Sequence, residues 1–161
     1  MDGINKTAEL LVKALRKNKK KIAFAESCTG GGIAAAVTSV SGSSEVFDCG
    51  IVSYSNGIKE SVLGVPARVL ADFGAVSAET VAQMVLGVMR LSGADLAIAV
   101  TGIAGPNGGS AEKPVGLVYI ALADRGGVID IDRHVFAGGR AEVRAQTVEN
   151  ALLMVLNRIG K

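Results

Sequence analysis

Tryptophan is absent from this chain, aromatic residues make up only 4% of it, histidine occurs once, proline three times and cysteine twice. A single histidine, His134, excludes a histidine-built metal cluster and leaves little scope for a serine–histidine triad. Two cysteines, Cys28 and Cys49, do not make a disulfide framework. Neither charge sign dominates: 17 basic against 15 acidic residues leave +2, which gives no argument for nucleic acid as a partner. The longest apolar stretch, 94–104, is interrupted by Asp95 and Thr101 and falls well short of the ~20 residues that a membrane-spanning helix requires. The first fifteen residues are polar and periodic and lack the apolar centre of a signal peptide. These absences predict a soluble, cytoplasmic protein with no membrane partner, no metal and no cofactor.

What the chain does have is small apolar side chains and glycine. Hydrophobic residues make up 49%, charged residues 20%, and there are 21 glycines in 161 residues. That length and balance predict one globular domain over residues 1–161. With few aromatics, its core must be built from Ala, Val, Leu and Ile. A mean hydropathy of +0.40 is high for a small soluble chain and predicts a homo-oligomer that buries part of its apolar surface.

Ala8, Leu11, Val12 and Leu15 share one face of a helix over 4–17. The basic run Arg16, Lys17, Lys19, Lys20, Lys21 reads as a solvated helix end and turn. Residues 21–25 form a short buried strand, 33–40 a small-residue helix, and 46–54 a second strand. Ser55 or Asn56 caps a helix reaching about residue 63, and Pro66 starts another short one. Ser77 caps a helix over 78–91 with Val81, Val85, Val88 and Met89 inward. Residues 95–100 read as a strand buried on both faces. A glycine-rich loop covers 101–114. Strands 115–123 and 128–136 form a hairpin, and a helix over 141–159 closes the chain with Val143, Thr147, Leu152 and Leu156 as core contacts. Helices and strands alternate, then two strands run together. The pattern predicts a three-layer α/β/α sandwich on a mixed sheet.

Four segments carry polar groups suited to chemistry. Glu26-Ser27-Cys28-Thr29-Gly30-Gly31 follows a strand and opens a helix. It reads either as a hydroxyl presented beside free helix-start N–H groups or as a Ser/Thr-rich cap with glycines for tight packing. Lys59 lies near the start of a helix that follows Tyr54 and Asn56; partial burial there lowers a lysine's pKa and makes it a base, while exposure leaves it a plain surface cation. Thr101, Gly102, Gly105 and the glycines to 109 extend beyond the most buried strand, where ligands of open α/β sheets sit, although no Gly-Lys-Ser/Thr completes a Walker A pattern. Arg140 and Arg144, one turn apart at the start of the last helix, suit a phosphate or carboxylate, or else surface salt bridges. Elsewhere, His134 reads as a strand residue without a catalytic role, Cys28 as a buried cap position and Cys49 as a core strand residue.

Several of these segments together resemble one family. A-E-S-C-T-G-G at 25–31, G-x-V-S-Y-S-N-x-x-K from Gly50 to Lys59, G-A-V-S at 74–77, T-G-I-A-G-P-x-G-G at 101–109 and E-K-P-V-G at 112–116 look like the CinA C-terminal domain family, in order and spacing, over nearly the whole chain. The resemblance implies a nicotinamide mononucleotide deamidase, which turns nicotinamide mononucleotide and water into nicotinate mononucleotide and ammonia. It implies Ser27 as nucleophile, with Lys59 as its base directly or through Tyr54, and Thr101 and Arg140 in the pocket. With it, backbone N–H groups over 28–31 are expected to hold the oxyanion. Thr29, Gly30, Gly31, Asn56, Gly102, Gly105 and Arg144 are the further expected substrate contacts, and the phosphate falls to Arg140, Arg144 or the loop at 105–109. In longer members the domain follows a molybdopterin-binding-like domain linked to ADP-ribose pyrophosphatase activity, which is not carried over to these residues. One position departs: where relatives often carry an acidic residue before the last arginine, this chain has Gly139. The alternatives that the residues leave open are an amidase for another small nucleotide-like amide, and a silent nucleotide-binding module that senses pyridine nucleotides or partners recombination proteins, the latter in keeping with the family's link to competence.

Overall fold

The structure is a computed structural model and describes residues 2–127 and 129–160. In chain order it contains α1 (Asp2–Lys17), β1 (Ile22–Glu26), α2 (Gly32–Thr38), a 3-10 turn (Ser43–Glu45), β2 (Phe47–Val52), α3 (Asn56–Ser61), α4 (Ala67–Phe73), α5 (Ala78–Ser92), β3 (Leu96–Gly102), β4 (Leu117–Asp124), β5 (Ile129–Val135) and α6 (Arg140–Ile159). The strands form one five-stranded sheet in the order β2-β1-β3-β4-β5. β1 pairs in parallel with β2 and β3, whereas β3–β4 and β4–β5 are antiparallel.

The apolar runs of β1 and β3 make sense once both faces of the sheet are covered. Ile22, Phe24, Ile98 and Val100 point into a core with Leu11, Leu15, Ile33 and Leu152, from α1, α2 and α6. The alternate positions, Ala23, Ala25, Ala97 and Ala99, face Leu63, Val81, Met84 and Val88 on the other side. This is the expected α/β/α sandwich. The alanine face brings α5 close to the sheet. On that helix, buried Gly87 lets the backbone of Leu63 approach so closely that a Cβ there would lie 2.0 Å from the Leu63 carbonyl oxygen. Leu63, in the segment after α3, is thereby docked on α5, and Arg90 Nη2 donates to its carbonyl at 3.1 Å.

Caps set the helix starts. Ser55 Oγ accepts from the Ile58 N–H at 3.2 Å, and Ser77 Oγ accepts from the Thr80 N–H at 3.1 Å. Several boundaries differ from the sequence reading. β2 ends at Val52, leaving Ser53 and Tyr54 beyond the sheet, and β3 runs on through Thr101 and Gly102, so the glycine-rich loop starts at Ile103. Cys49, Met89 and Leu156 are half-buried, and Met84 takes the fully buried place on α5. Val128, the expected first residue of the last strand, lies outside the described residues. No helix among the described residues is long and apolar enough to cross a membrane.

Candidate active site

The register of the parallel strands fixes where the polar groups meet. Glu26 at the end of β1 pairs with Val52 on one side and Val100 on the other. The next residues, Ser27, Ser53 and Thr101, therefore stand in one row, the two serines just past their strands and Thr101 still paired with Tyr119 of β4. β1 is also where the chain order reverses across the sheet, and clefts in open α/β sheets form outside the carboxyl ends of strands at such a point. Two backbone bonds extend the row: Ser27 N–H donates to Val100 O at 3.1 Å, and Ser53 N–H donates to Glu26 O at 2.8 Å.

Lys59 reaches back into this row from α3. It is 1% exposed, a rare state for a lysine, and Ser27 is 8% exposed. Its Nζ lies 3.0 Å from Ser27 Oγ, 2.8 Å from Ser53 O and 3.4 Å from Tyr54 O. Burial strips water from the ammonium and pushes the Lys59 pKa below the usual lysine value, with Cys28 acting weakly in the opposite direction. In a helix of only six residues, Lys59 belongs to the last turn as much as the first; desolvation, not the helix start, is what weakens its hold on a proton.

A cleft of about 280 Å³ opens over these groups. Its floor includes Ser27, Cys28, Lys59, Thr101 and Gly102; Tyr54, Asn56 and Arg140 line it, as do Ala75 and Val76, and the loop after β3 contributes Ile103, Ala104, Gly105, Asn107 and Gly108. Gly102 has to be glycine, because a Cβ there would lie 2.6 Å from Val118 Cγ2 and 2.9 Å from Leu117 O. Two polar anchors hold the Ala75–Val76 wall. Thr101 Oγ1 donates to Ala75 O at 2.8 Å, and Lys113 Nζ donates to Phe73 O at 2.6 Å, just before that wall. These bonds give the G-A-V-S and E-K-P-V-G segments a place in the site. Arg140 spans the mouth: Nη1 donates to Gly105 O at 2.9 Å and Nη2 to Tyr54 Oη at 3.0 Å. Gly139 does not leave it loose.

Four expected contacts lie elsewhere. Thr29, Gly30, Gly31 and Arg144 do not line the cleft. Thr29 Oγ1 donates to Glu26 Oε2 at 2.6 Å, and the Gly31 N–H donates to the same oxygen at 3.1 Å. Arg144 lies behind the turn and braces it, donating to Cys28 O at 3.2 Å and Thr29 O at 3.0 Å. The helix-start N–H groups are thus satisfied internally, and the amides of Cys28 and Thr29 are the two in this turn, among the described residues, that neither Glu26 nor a backbone carbonyl takes up. Glu26 itself was missed in sequence; its place one residue from a candidate nucleophile was the available signal.

Tyr54 is 60% exposed and turns its hydroxyl to Arg140, while Nζ meets Oγ with nothing between. The Cys28 thiol beside Ser27 is pushed up to about 11, chiefly by burial, which makes it a poor nucleophile. A larger hollow, about 470 Å³, lies at the opposite ends of the strands. Four of its charges pair, Arg158 with Asp124 at 3.0 Å and Arg125 with Asp95 at 3.7 Å, and its lining contains neither a buried base nor a nucleophile. No group of three or more His, Cys, Asp or Glu placed to hold a metal occurs among the described residues.

The model of the CinA C-terminal domain family matches residues 4–159. A nicotinamide-nucleotide amidohydrolase PncC of Pseudomonas putida is 49% identical over 152 residues, covering 94% of each chain. A CinA-like protein of Endomicrobium trichonymphae is 48% identical over 152 residues, 94% of this chain but 35% of that protein. The chain spans about a third of the length of such curated CinA-like relatives. Among solved structures, the competence/damage inducible protein CihA of Agrobacterium tumefaciens superposes with a TM-score of 0.95 at 44% identity, covering 99% of this chain and 96% of that one.

Proposed function

The chain belongs to the CinA C-terminal domain family, and from that premise we propose that it hydrolyses the carboxamide of nicotinamide mononucleotide to nicotinate mononucleotide and ammonia. The observation that carries the reading is the buried contact of 3.0 Å between Lys59 Nζ and Ser27 Oγ at the floor of the cleft. A neutral amine has two N–H groups and one lone pair. With the N–H groups donated to Ser53 O and Tyr54 O, the lone pair is left for the Ser27 hydroxyl, which then donates to Nζ.

The chemistry follows from that arrangement. Lys59 takes the Ser27 proton as Oγ adds to the carboxamide carbon. The oxyanion that forms is held by the Cys28 amide. The C–N bond breaks, Lys59 returns the proton to the departing nitrogen, and ammonia leaves. A water then adds to the nicotinoyl ester, giving its proton to Lys59, and Ser27 is released with nicotinate mononucleotide. The positive pyridinium ring withdraws electrons from the carbonyl and disfavours a protonated Lys59 beside it. Its flat faces suit the walls formed by Ala75, Val76, Ile103 and Ala104, and Arg140 at the mouth suits the phosphate. Tyr54 then acts as a substrate-facing group held by Arg140, and the proton passes directly between Ser27 and Lys59.

The same reading takes residues 1–161 as one catalytic domain that works in the cytoplasm as a homo-oligomer, with exposed Phe73, Leu91 and Leu153 among the apolar side chains available to a subunit contact. The experiment that tests the activity is ammonia release from nicotinamide mononucleotide and a panel of other amides, with Ser27→Ala in parallel. Release by the wild type and none by the variant is the expected result. Near-wild-type turnover by Ser27→Ala overturns the nucleophile, and tight binding without ammonia points to a silent nucleotide-binding module.

A further inference from the structure

Glu26 precedes Ser27 and is 1% exposed. Its side chain accepts four hydrogen bonds. Oε2 takes the Thr29 hydroxyl at 2.6 Å, the Gly31 N–H at 3.1 Å and the Ile33 N–H at 3.0 Å, and Oε1 takes the Ala34 N–H at 2.9 Å. Its main-chain carbonyl accepts from Ser53 N–H at 2.8 Å and Ser53 Oγ at 3.3 Å, and it is the carbonyl of Ser53 that holds Lys59 Nζ. One residue thus fastens both sides of the Ser27–Lys59 contact: the turn after the serine through its carboxylate, and the segment under the lysine through its backbone.

Stability alone does not account for it. A serine, threonine or aspartate at the surface caps a short helix adequately, and the gain from any cap is small. Burying a carboxylate costs far more than capping returns unless both oxygens are supplied with donors, as the four bonds do here. We propose that Glu26 is a positioning residue for the hydrolysis: its buried carboxylate fixes the 27–31 turn so that Ser27 Oγ meets Lys59 Nζ, while the amide of Cys28 stays open to the oxyanion. The proposal rests on the Ser27–Lys59 reading given above.

Glu26→Gln is the sharpest test, since it keeps the length and one oxygen but replaces the second acceptor with a donor facing the Ala34 N–H. The probe is a fluorophosphonate: Ser27 Oγ bonds to phosphorus, fluoride leaves, and the serine proton passes to Lys59. Labelling is followed by intact mass, so it reads the nucleophile without depending on the natural substrate. Glu26→Gln is expected to label at least roughly tenfold more slowly than wild type, because small misplacements of reacting groups are costly. Its kcat for ammonia release should fall by a similar factor, with KM nearly unchanged because Arg140 and the loop walls are untouched. Thr29→Val, which removes a single donor to Glu26, should lie between the two and guards against a Glu26→Gln chain that does not fold. Labelling and kcat within twofold of wild type in both variants overturn the proposal; so does a loss in KM and melting temperature without a loss in labelling rate. A wild type that neither labels at Ser27 nor releases ammonia overturns the reading beneath it instead. A wild type that labels but releases no ammonia overturns only the substrate, and the labelling rates of the variants still decide the role of Glu26.

Discussion

Replacing Lys59 with methionine keeps an unbranched side chain of nearly the same bulk and removes its nitrogen. If Lys59 is the general base, kcat should fall by ~10²–10⁴. At about 1.36 kcal/mol per decade this is roughly 2.7–5.4 kcal/mol of lost transition-state stabilisation. If its contact with Ser27 is an ordinary hydrogen bond, the loss is about 0.5–1.5 kcal/mol, a factor of roughly 2–13. The two roles are therefore separated by about an order of magnitude. The 3.0 Å contact also makes them one unit, so Ser27→Ala/Lys59→Met should be no slower than Ser27→Ala alone. pH supplies a second reading. The wild-type rate should fall as pH drops through the lowered Lys59 pKa, since the protonated amine accepts nothing, and the variant should lack that limb. Stability follows the same proton. Between the folded value and the usual lysine value the unfolded chain holds one proton more, so the Lys59 contribution makes stability rise with pH through that window, and the variant should lose that slope. The assay is ammonia release against pH, with chemical denaturation alongside. A kcat loss below tenfold, or a variant that keeps the acid limb, refutes the base.

Arg140→Ala removes the donors to Gly105 O and Tyr54 Oη, and with a phosphate bound in place of one of them the charge-assisted bond is worth about 1.5–3 kcal/mol. KM for nicotinamide mononucleotide should rise by roughly 10–100-fold with little change in kcat, while turnover of nicotinamide riboside, which has no phosphate, should be unaffected; equal losses on both show that Arg140 serves the fold. Gly87→Ala drives a Cβ into the Leu63 carbonyl at 2.0 Å, an overpacking cost of roughly 1–3 kcal/mol, or a fall in Tm of several degrees at about 2–4 °C per kcal/mol. Gly93→Ala meets nothing within 4 Å but sits at φ +64°, so strain alone should cost roughly 1–2 kcal/mol; a Gly87→Ala shift near zero would show that Leu63 gives way and that close packing there costs little.

The architecture was legible because periodicity carries it. The apolar runs of β1 and β3, the stripe on α1 and the serine caps at 55 and 77 each need only local arithmetic. Ser27, Lys59, Thr101 and Arg140 were legible by resemblance, and geometry brings them to one cleft. What stayed hidden was competition for hydrogen bonds. A sequence shows that Thr29, Gly30 and Gly31 have donors at a helix start, but not that Glu26 has already taken two of them. Nor does it show that Arg144, a turn from Arg140, spends its guanidinium on backbone carbonyls behind the turn. Nor does it show that Leu63, just after α3, docks on α5 at Gly87, 24 positions further along the chain (87 − 63).

α6 gives the cleft Arg140 and braces the Ser27 turn with Arg144, and it packs on α1, the first helix. On the reading proposed above, a chain cut after β5 would keep Ser27, Lys59 and both walls of the cleft but lack the arginine assigned to the phosphate and the brace behind the serine turn, so the seating of α6 on α1 is what completes the pocket.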